Sequence, residues 1–288
     1  MATALDTLPY LIDAGALRDG LARTPTADAE LLTLMRQRLG EGRGAVRAFF
    51  EAGGSADAVH QELARQMDAL LQGALDFADA RLYPRANPTT GEQLAVVAVG
   101  GYGRGELAPY SDVDLLFLFD YKRTAYVEQV AEFLFYKLLA LGLELGVATR
   151  SIAENVKLAK HDLSVRTALL DARLVWGDRA LFARFTAVLD RELWSTRAGE
   201  FVQAKLAERD ERHRRTGDSR YLLEPNIKEG KGGLRDLQTL FWIGRCLYRI
   251  AEPADLVRHG VLSPASLATY RRAQRFLRTV RCHLHYLA

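Results

Sequence analysis

Two aspartates separated by one residue are the strongest chemical signal in the sequence. Asp112 and Asp114 stand directly before the apolar run 115–119, which predicts a short buried strand. Residues two apart on a strand face the same side, so both carboxylates would point one way while Val113 points into the core. Paired carboxylates repel each other unless a cation lies between them, and hard divalent cations prefer such oxygen ligands. We therefore predict that Asp112 and Asp114 are catalytic and bind Mg²⁺, which Mn²⁺ could replace.

A glycine-rich stretch stands just upstream of the two aspartates. Four glycines within six residues follow the β-branched run 96–99, beginning with Gly100 and Gly101. Glycine lets the backbone approach a ligand closely, so backbone amides and Arg104 could cradle nucleotide phosphates, with a further hydroxyl contact from Ser111. Either feature alone is usually a solvated turn or a hairpin. Their order, a glycine turn followed by a carboxylate pair between two strands, predicts metal-assisted nucleotidyl transfer by in-line displacement at phosphorus.

A second glycine-rich segment, residues 224–236, carries two lysines among its glycines. Its proline and three glycines exclude a regular element, and a helix is predicted to follow it. The free N–H groups at the start of a helix favour negative charge. We predict that Lys228, Lys231 and Arg235 hold the nucleotide triphosphate opposite the carboxylate pair. Asp236 is either a capping acid of the helix or a ligand acting through water.

These segments resemble a known family. Residues 100–107 and 111–116 resemble the nucleotidyltransferase motif of GlnD, the bifunctional uridylyltransferase/uridylyl-removing enzymes that modify the PII signalling protein. Residues 224–236 closely resemble a second GlnD motif, which simpler nucleotidyltransferases lack. The second motif is the more specific of the two, because the general superfamily pattern requires only paired glycines followed by an Asp-x-Asp.

The resemblance implies a fold and a reaction. The expected fold is α/β (α+β), a nucleotidyltransferase-superfamily mixed sheet with N-terminal helices and a C-terminal helical substrate-binding region. The expected reaction moves UMP from UTP to a tyrosine of PII and releases pyrophosphate. In the family the chain continues into an HD phosphohydrolase domain and two ACT domains. We therefore expect a chain truncated before those domains, without uridylyl-removing activity.

One segment departs from the family pattern. In the stretch 139–150 the family's Trp-Asp pair is replaced by leucine and Ala140, and its histidine by Val147. The missing groups either assist the chemistry, in which case activity is reduced, or only fix the ends of a helix and a strand. Glu144 is the only acid of this predicted strand, and it is either a third metal ligand or a water-facing glutamate of an edge strand. Four positions match the family: Gly142, Leu143, Gly146 and Arg150.

Composition narrows the class of partner. The net charge of +3 on 288 residues is slight, which argues against bulk binding to nucleic acid or membranes. Two cysteines without CxxC spacing make no disulfide framework. The sequence shows neither a signal peptide nor an apolar run near the ~20 residues of a spanning helix. We predict a cytoplasmic protein, and the resemblance to GlnD implies UTP and PII as its partners.

The elements that must position these residues divide the chain into three regions. We predict an N-terminal helical region at 1–88, a nucleotidyltransferase core at 89–155 and a helical region at 156–288 that includes the 224–236 loop. The N-terminal helices are expected to pack on the sheet without contributing chemistry. More local predictions are a helix break at 40–44, a strand at 143–149, a helix that ends in a turn at 174–178, and helices beginning near 234 and 263.

Two other functions stay open at this point. One is a related nucleotidyltransferase, such as the glutamine synthetase adenylyltransferases, which share a glycine-rich segment followed by Ser-Asp-x-Asp. The residues 224–236 argue against it, and a preference for UTP over ATP would decide. The other is a non-catalytic module that binds nucleotide or PII, which predicts binding without turnover.

Overall fold

The computed structural model describes residues 11–85, 89–215 and 226–287. These residues form two compact units. The first unit contains the described residues up to 157 together with residues 171–187. The second contains residues 158–170 and the described residues from 188 onward. The sheet and the carboxylate pair belong to the first unit, and the 226–236 segment belongs to the second.

A four-stranded mixed sheet with the order β3-β2-β1-β4 forms the centre of the first unit. The inner strand β1 is buried along its whole length, as expected for a strand that reads as a continuous apolar run. It pairs antiparallel with β2 and β4, whereas β2 pairs parallel with β3. This confirms the predicted mixed α+β class. The strands are β1 (Leu94–Ala98), β2 (Val113–Phe119), β3 (Leu145–Ser151) and β4 (Arg173–Gly177).

Helices flank the sheet and build the second unit. In the first unit α3 packs against α1, α2 and β4, and α5 packs against β2 and β3. In the second unit α10 packs against α7, α9 and α12. The helices are α1 (Ala14–Arg23), α2 (Asp28–Glu51), α3 (Ala56–Phe77), the single turn α4 (Gly100–Gly103), α5 (Ala125–Ala140), α6 (Ile152–His161), α7 (Leu163–Leu170), α8 (Arg179–Leu189), α9 (Ala198–Arg215), α10 (Leu234–Tyr248), the single turn α11 (Asp255–Arg258) and α12 (Pro264–Leu287).

Several helix boundaries are set by capping residues. Ser55 accepts a hydrogen bond from the backbone of Ala58 and begins α3, and Thr124 is the N-cap of α5. Gly142, with φ of 72°, follows the end of α5 as predicted. Ser263 accepts from the amide of Ser266 before α12. Among the described helices, none combines the length and the apolar character that a membrane crossing requires.

The predicted helix break at 40–44 is wrong, because α2 continues through it. One of the glycines there, Gly42, serves helix packing. A Cβ atom at Gly42 would lie 2.0 Å from the side-chain nitrogen of Gln66 on α3. That nitrogen donates to the carbonyls of Arg38 and Leu39 on α2, at 2.9 and 3.1 Å. The two helices therefore meet where a side chain is missing.

Two predictions about strands also need correction. The segment 174–178 does not end a helix, because residues 173–177 form β4 and pair with β1. This short apolar run gains its strand conformation from a partner about 80 residues away, which no local pattern reveals. The strand predicted at 143–149 lies two residues later, as the edge strand β3, in which the first six residues are half-buried and Ser151 is buried.

Candidate active site

The glycine turn, residues 100–105, lies directly against the carboxylate of Asp114. Gly100 has φ of 58°, and a Cβ atom built on it would lie 3.0 Å from Oδ2 of Asp114. The amide of Val99 donates to the carbonyl of Asp114 at 3.1 Å, which fixes the end of β1 beside the start of β2. A side chain at position 100 would be strained by the backbone conformation and would crowd the carboxylate.

The two predicted carboxylates flank a buried residue. Val113 is 1% exposed, Asp112 is exposed and Asp114 is half-buried, which agrees with the predicted alternation at the start of β2. Ser111 is half-buried, and its hydroxyl donates to the carbonyl of Ala108 at 3.0 Å. The chain thus presents Asp112 and Asp114 at the end of the sheet where the glycine turn lies.

A second glycine touches the same carboxylate. Gly146 on β3 is level with Asp114 in the parallel pairing of β2 and β3. A Cβ atom at Gly146 would lie 2.1 Å from Oδ1 of Asp114. The carboxylate therefore fits between Gly100 and Gly146, two positions without side chains. Gly146 matched the family pattern in the sequence, but its contact with Asp114 became visible only from the strand register.

The structure shows where Ala140 and Val147, the two positions that depart from the family pattern, lie relative to the carboxylate pair. Val147 is level with Leu115, so it faces the side of the sheet opposite to Asp114. Ala140 ends α5, and its carbonyl accepts a hydrogen bond from Arg36 at 3.1 Å. Neither position is seen to join the carboxylate pair, which favours a role for the family's residues in fixing element ends.

Glu144 lies immediately before β3 and is exposed. Its carbonyl accepts from the amide of Val113 at 2.9 Å, which places its backbone beside the start of β2. Among the described residues, no three acidic, histidine or cysteine side chains are gathered as metal ligands. Two carboxylates completed by phosphate oxygens and water suit Mg²⁺, so Asp112 and Asp114 fit that ion. Glu144 as a third ligand stays a prediction.

Arg104 is held by carboxylates of its own unit. Its Nη1 donates to Oδ2 of Asp171 at 2.5 Å and its Nε to Oε2 of Glu106 at 3.1 Å. Burial lowers the pKa of the Arg104 guanidinium, but the charges of Asp171 and Glu106 outweigh this and leave the pKa raised. The structure thus gives Arg104 a role in anchoring the glycine turn. Its predicted contact with phosphate stays a prediction.

The second glycine-rich segment, residues 224–236, belongs to the second unit. The structure describes its residues 226–236, since Glu224 and Pro225 lie outside the described residues. Lys228 and Lys231 are exposed. Arg235 pairs with Glu229 at 3.0 Å, and its guanidinium lies 5.4 Å from the ring centre of Trp242. The loop folds onto itself through the side chain of Asn226, which accepts from the amides of Lys228 and Glu229. Both lysines therefore place positive charge at the surface of the loop.

Asp236 acts as a capping acid in the structure. Its Oδ2 accepts from the amide of Gly232 at 2.8 Å, just before the start of α10. It also contacts His213 at 3.0 Å and Arg212, both on α9. Burial raises the pKa of Asp236, but the bonds from Gly232, His213 and Arg212 together lower it below its usual value. This carboxylate joins the loop to α9 and α10.

A polar cavity of about 800 Å³ lies elsewhere in the first unit. It is lined by Leu94 at the opposite end of β1, by Trp176 on β4 and by Asp76 on α3. None of the predicted site residues lines it. The ion pairs of its wall, Arg18 with Asp76 and Arg85 with Asp79, balance its charge. The cavity is separate from the glycine turn and carries no part of the predicted chemistry.

Family models and curated relatives match the chain. The model described as a nucleotidyltransferase domain matches residues 87–175, and the one described as GlnD PII-uridylyltransferase matches residues 200–288. A bifunctional uridylyltransferase/uridylyl-removing enzyme of Rhodospirillum rubrum is 51% identical over 286 residues, 96% of this chain. The chain belongs to the GlnD family. This confirms the family predicted from the two glycine-rich segments.

The GlnD match covers only part of the relatives. A second enzyme of the same name, from Azospirillum brasilense, is 51% identical over 257 residues, 89% of this chain. The chain spans 31% and 28% of the lengths of these two relatives. It contains the nucleotidyltransferase domain, which holds the glycine turn and the carboxylate pair.

Proposed function

We propose that this chain transfers UMP from UTP to a tyrosine hydroxyl of a PII signalling protein and releases pyrophosphate. The observation that carries the proposal is the position of the Asp114 carboxylate between Gly100 and Gly146. This arrangement puts an anionic metal ligand against a backbone turn that can approach phosphate. The domain match supports nucleotidyl transfer, the names of the relatives support uridylyl transfer, and the description of the second family model supports PII.

Each group of the site has a task in this reaction. Asp112 and Asp114 would hold Mg²⁺, which stabilises charge on the attacking and leaving oxygens when bound. Gly100 and Gly101 open a helical turn, so their amides have no acceptor within it and can bind phosphate oxygens. Ser111 adds a hydroxyl beside the pair. Arg104 holds the turn in place through its carboxylate partners.

The bond changes are those of a single displacement at phosphorus. The tyrosine oxygen forms a bond to the α-phosphorus of UTP as the phenol gives up its proton. The bond from the α-phosphorus to the bridging oxygen breaks, and pyrophosphate leaves with the electron pair. The proposal covers this transfer only, in a cytoplasmic protein without nucleic-acid or membrane partners. It does not include the uridylyl-removing activity.

The test is transfer of labelled UMP from UTP to purified PII protein in the presence of Mg²⁺. Asp112→Asn and Asp114→Asn keep the shape of the side chain and remove its charge. We expect each to lower the rate by at least about a hundredfold, equivalent to ~2.7 kcal/mol of transition-state stabilisation. Asp120→Asn is the matched control, because Asp120 follows the other end of β2 and pairs with Arg184.

Three results would contradict the proposal in different ways. Label transferred from ATP but not from UTP would indicate an adenylyltransferase. UTP binding without transfer by a folded protein would indicate a binding module. Transfer that survives both substitutions would show that the carboxylate pair is not the metal site.

A further inference from the structure

The glycine turn contains a buried tyrosine. Tyr102 is 0% exposed, and its hydroxyl donates to Oδ1 of Asp68 at 2.6 Å. Asp68 lies on α3, within the N-terminal helices for which the sequence indicated no chemistry. Burial, and after it the negative charge of Asp68, hold the pKa of Tyr102 well above its usual value. The phenol therefore stays protonated and keeps donating to the carboxylate.

One arginine joins the same carboxylate to the backbone of the turn. Arg173 on β4 donates from Nη1 to Oδ2 of Asp68 at 2.7 Å and from Nη2 to Oδ1 at 3.0 Å. Its Nε donates to the carbonyl of Gly103 at 3.2 Å, and Nη2 donates to the carbonyl of Tyr102 at 3.2 Å. Such a two-point ion pair fixes orientation as well as distance. Burial lowers the pKa of Arg173, but its interactions with Asp68 outweigh this and leave the pKa raised. The guanidinium therefore stays charged.

Asp68 is the shared member of this network. Its two oxygens hold the Tyr102 hydroxyl and the Arg173 guanidinium, and its side chain is only 22% exposed. The same turn places Gly100 within contact distance of Asp114. A shift of the turn would therefore move the backbone amides that are proposed to bind phosphate. It would also change the position of the Asp114 carboxylate, the proposed metal ligand.

We propose that Asp68 is a positioning residue for nucleotidyl transfer. Through Tyr102 and Arg173 it fixes the glycine turn against Asp114, although it touches neither nucleotide nor metal. The inference rests on the proposed function and extends the transfer machinery to α3. It predicts that a substitution on this helix changes nucleotide binding.

The experiment compares two aspartates of the same helix. Asp68→Asn removes the charge that holds Arg173 and leaves an amide of the same shape. Asp76→Asn is the matched control, because Asp76 also lies on α3 and accepts from Arg18 at 2.6 Å and from Trp176 at 2.8 Å. Its contacts are of the same kind but lie at the polar cavity. Both variants are studied in the full chain.

Two readouts separate positioning from general stability. The first is hydrogen exchange of the amides of residues 100–105 without nucleotide, and the second is the KM and kcat for UTP. We expect Asp68→Asn to speed exchange and to raise KM about tenfold with kcat changed less, since a hydrogen bond to a charged group contributes about that factor. Asp76→Asn should leave both readouts within about twofold, because it alters surface contacts remote from the turn. Tyr102→Phe, which keeps the ring, should raise KM by a smaller factor.

The outcomes separate this inference from the proposed function. Unchanged exchange of the turn in Asp68→Asn would overturn the positioning role whatever the kinetics show. Equal effects from Asp68→Asn and Asp76→Asn would also overturn it, since they would indicate general loosening of α3. If exchange rises only in Asp68→Asn but the unmodified chain binds no UTP, the anchoring of the turn is supported and the proposed function fails.

Discussion

The carboxylate of Asp114 owes its position to two residues that have no side chain. A Cβ atom would lie 2.1 Å from its Oδ1 at Gly146 and 3.0 Å from its Oδ2 at Gly100. At position 100 the backbone conformation also requires glycine, whereas β3 at position 146 is an ordinary edge strand. Position 146 is therefore where the space beside the carboxylate can be tested without backbone strain.

Gly146→Ala should impair transfer while leaving the fold intact. The added methyl would lie 2.1 Å from Oδ1 of Asp114, and the end of that side chain would rotate away because it is the more mobile neighbour. We expect a rate loss of about tenfold or more and a higher Mg²⁺ requirement, because a displaced ligand binds the ion less well. Gly40→Ala is the control, since a Cβ atom there has nothing within 4 Å. Equal activity of the two variants would show that Asp114 does not need its observed position.

At the scale of elements, α3 contacts both the helix α2 and the glycine turn. Its Gln66 packs against Gly42 of α2. Its Asp68 accepts a hydrogen bond from Tyr102 of the glycine turn. Gln72 of α3 also donates to the carbonyl of Val175 on β4 at 2.9 Å. Close packing of α2 on α3 therefore supports the helix that anchors the turn.

Gly42→Ala and Gly44→Ala should have opposite effects on stability. The first would press a methyl into Gln66 and disturb its two hydrogen bonds, so we expect the free energy of unfolding to fall by about 1–3 kcal/mol. Gly44 lies two residues along the same helix, is exposed and has nothing within 4 Å. Alanine there should raise the free energy of unfolding by about 0.5–1 kcal/mol, because glycine costs more backbone entropy in a helix. Denaturant titration measures both, and a loss at position 44 would contradict this account of α2.

The same elements show what local sequence can predict. The pair Asp112 and Asp114 was identifiable because its spacing on one strand is itself the signal, and the start of α12 near 263 was predictable because a serine followed by proline is a local capping signal. The strand β4 was not, because its apolar run fits a helix end until β1 pairs with it. The role of Asp68 was equally hidden, since a single acid in an amphipathic helix is usually solvated and its partners lie 34 and 105 residues away. Contacts between distant segments are what a pattern within one segment cannot show.

At the scale of the whole molecule, each of the two units presents its own charged side chains. The first unit presents the carboxylates that attract a cation, and the second presents the exposed Lys228 and Lys231, which attract an anion. Arg235 is already engaged by Glu229 and Trp242, so it contributes first to the stability of the second unit. The exposed positive charges of Lys228 and Lys231 support the prediction that they bind nucleotide phosphate.

Replacing both lysines by alanine should weaken UTP binding without unfolding the chain. Exposed ammonium groups contribute through charge, so we expect the dissociation constant for UTP to rise about tenfold at low salt and less at high salt. Arg271→Ala/Arg272→Ala is the matched control, because it removes the same two charges from exposed positions of α12 in the same unit. Isothermal titration at two salt concentrations measures the difference. If the lysine variant and the arginine variant bind UTP equally well, the contribution of the loop is only net charge, and the nucleotide site must be built without it.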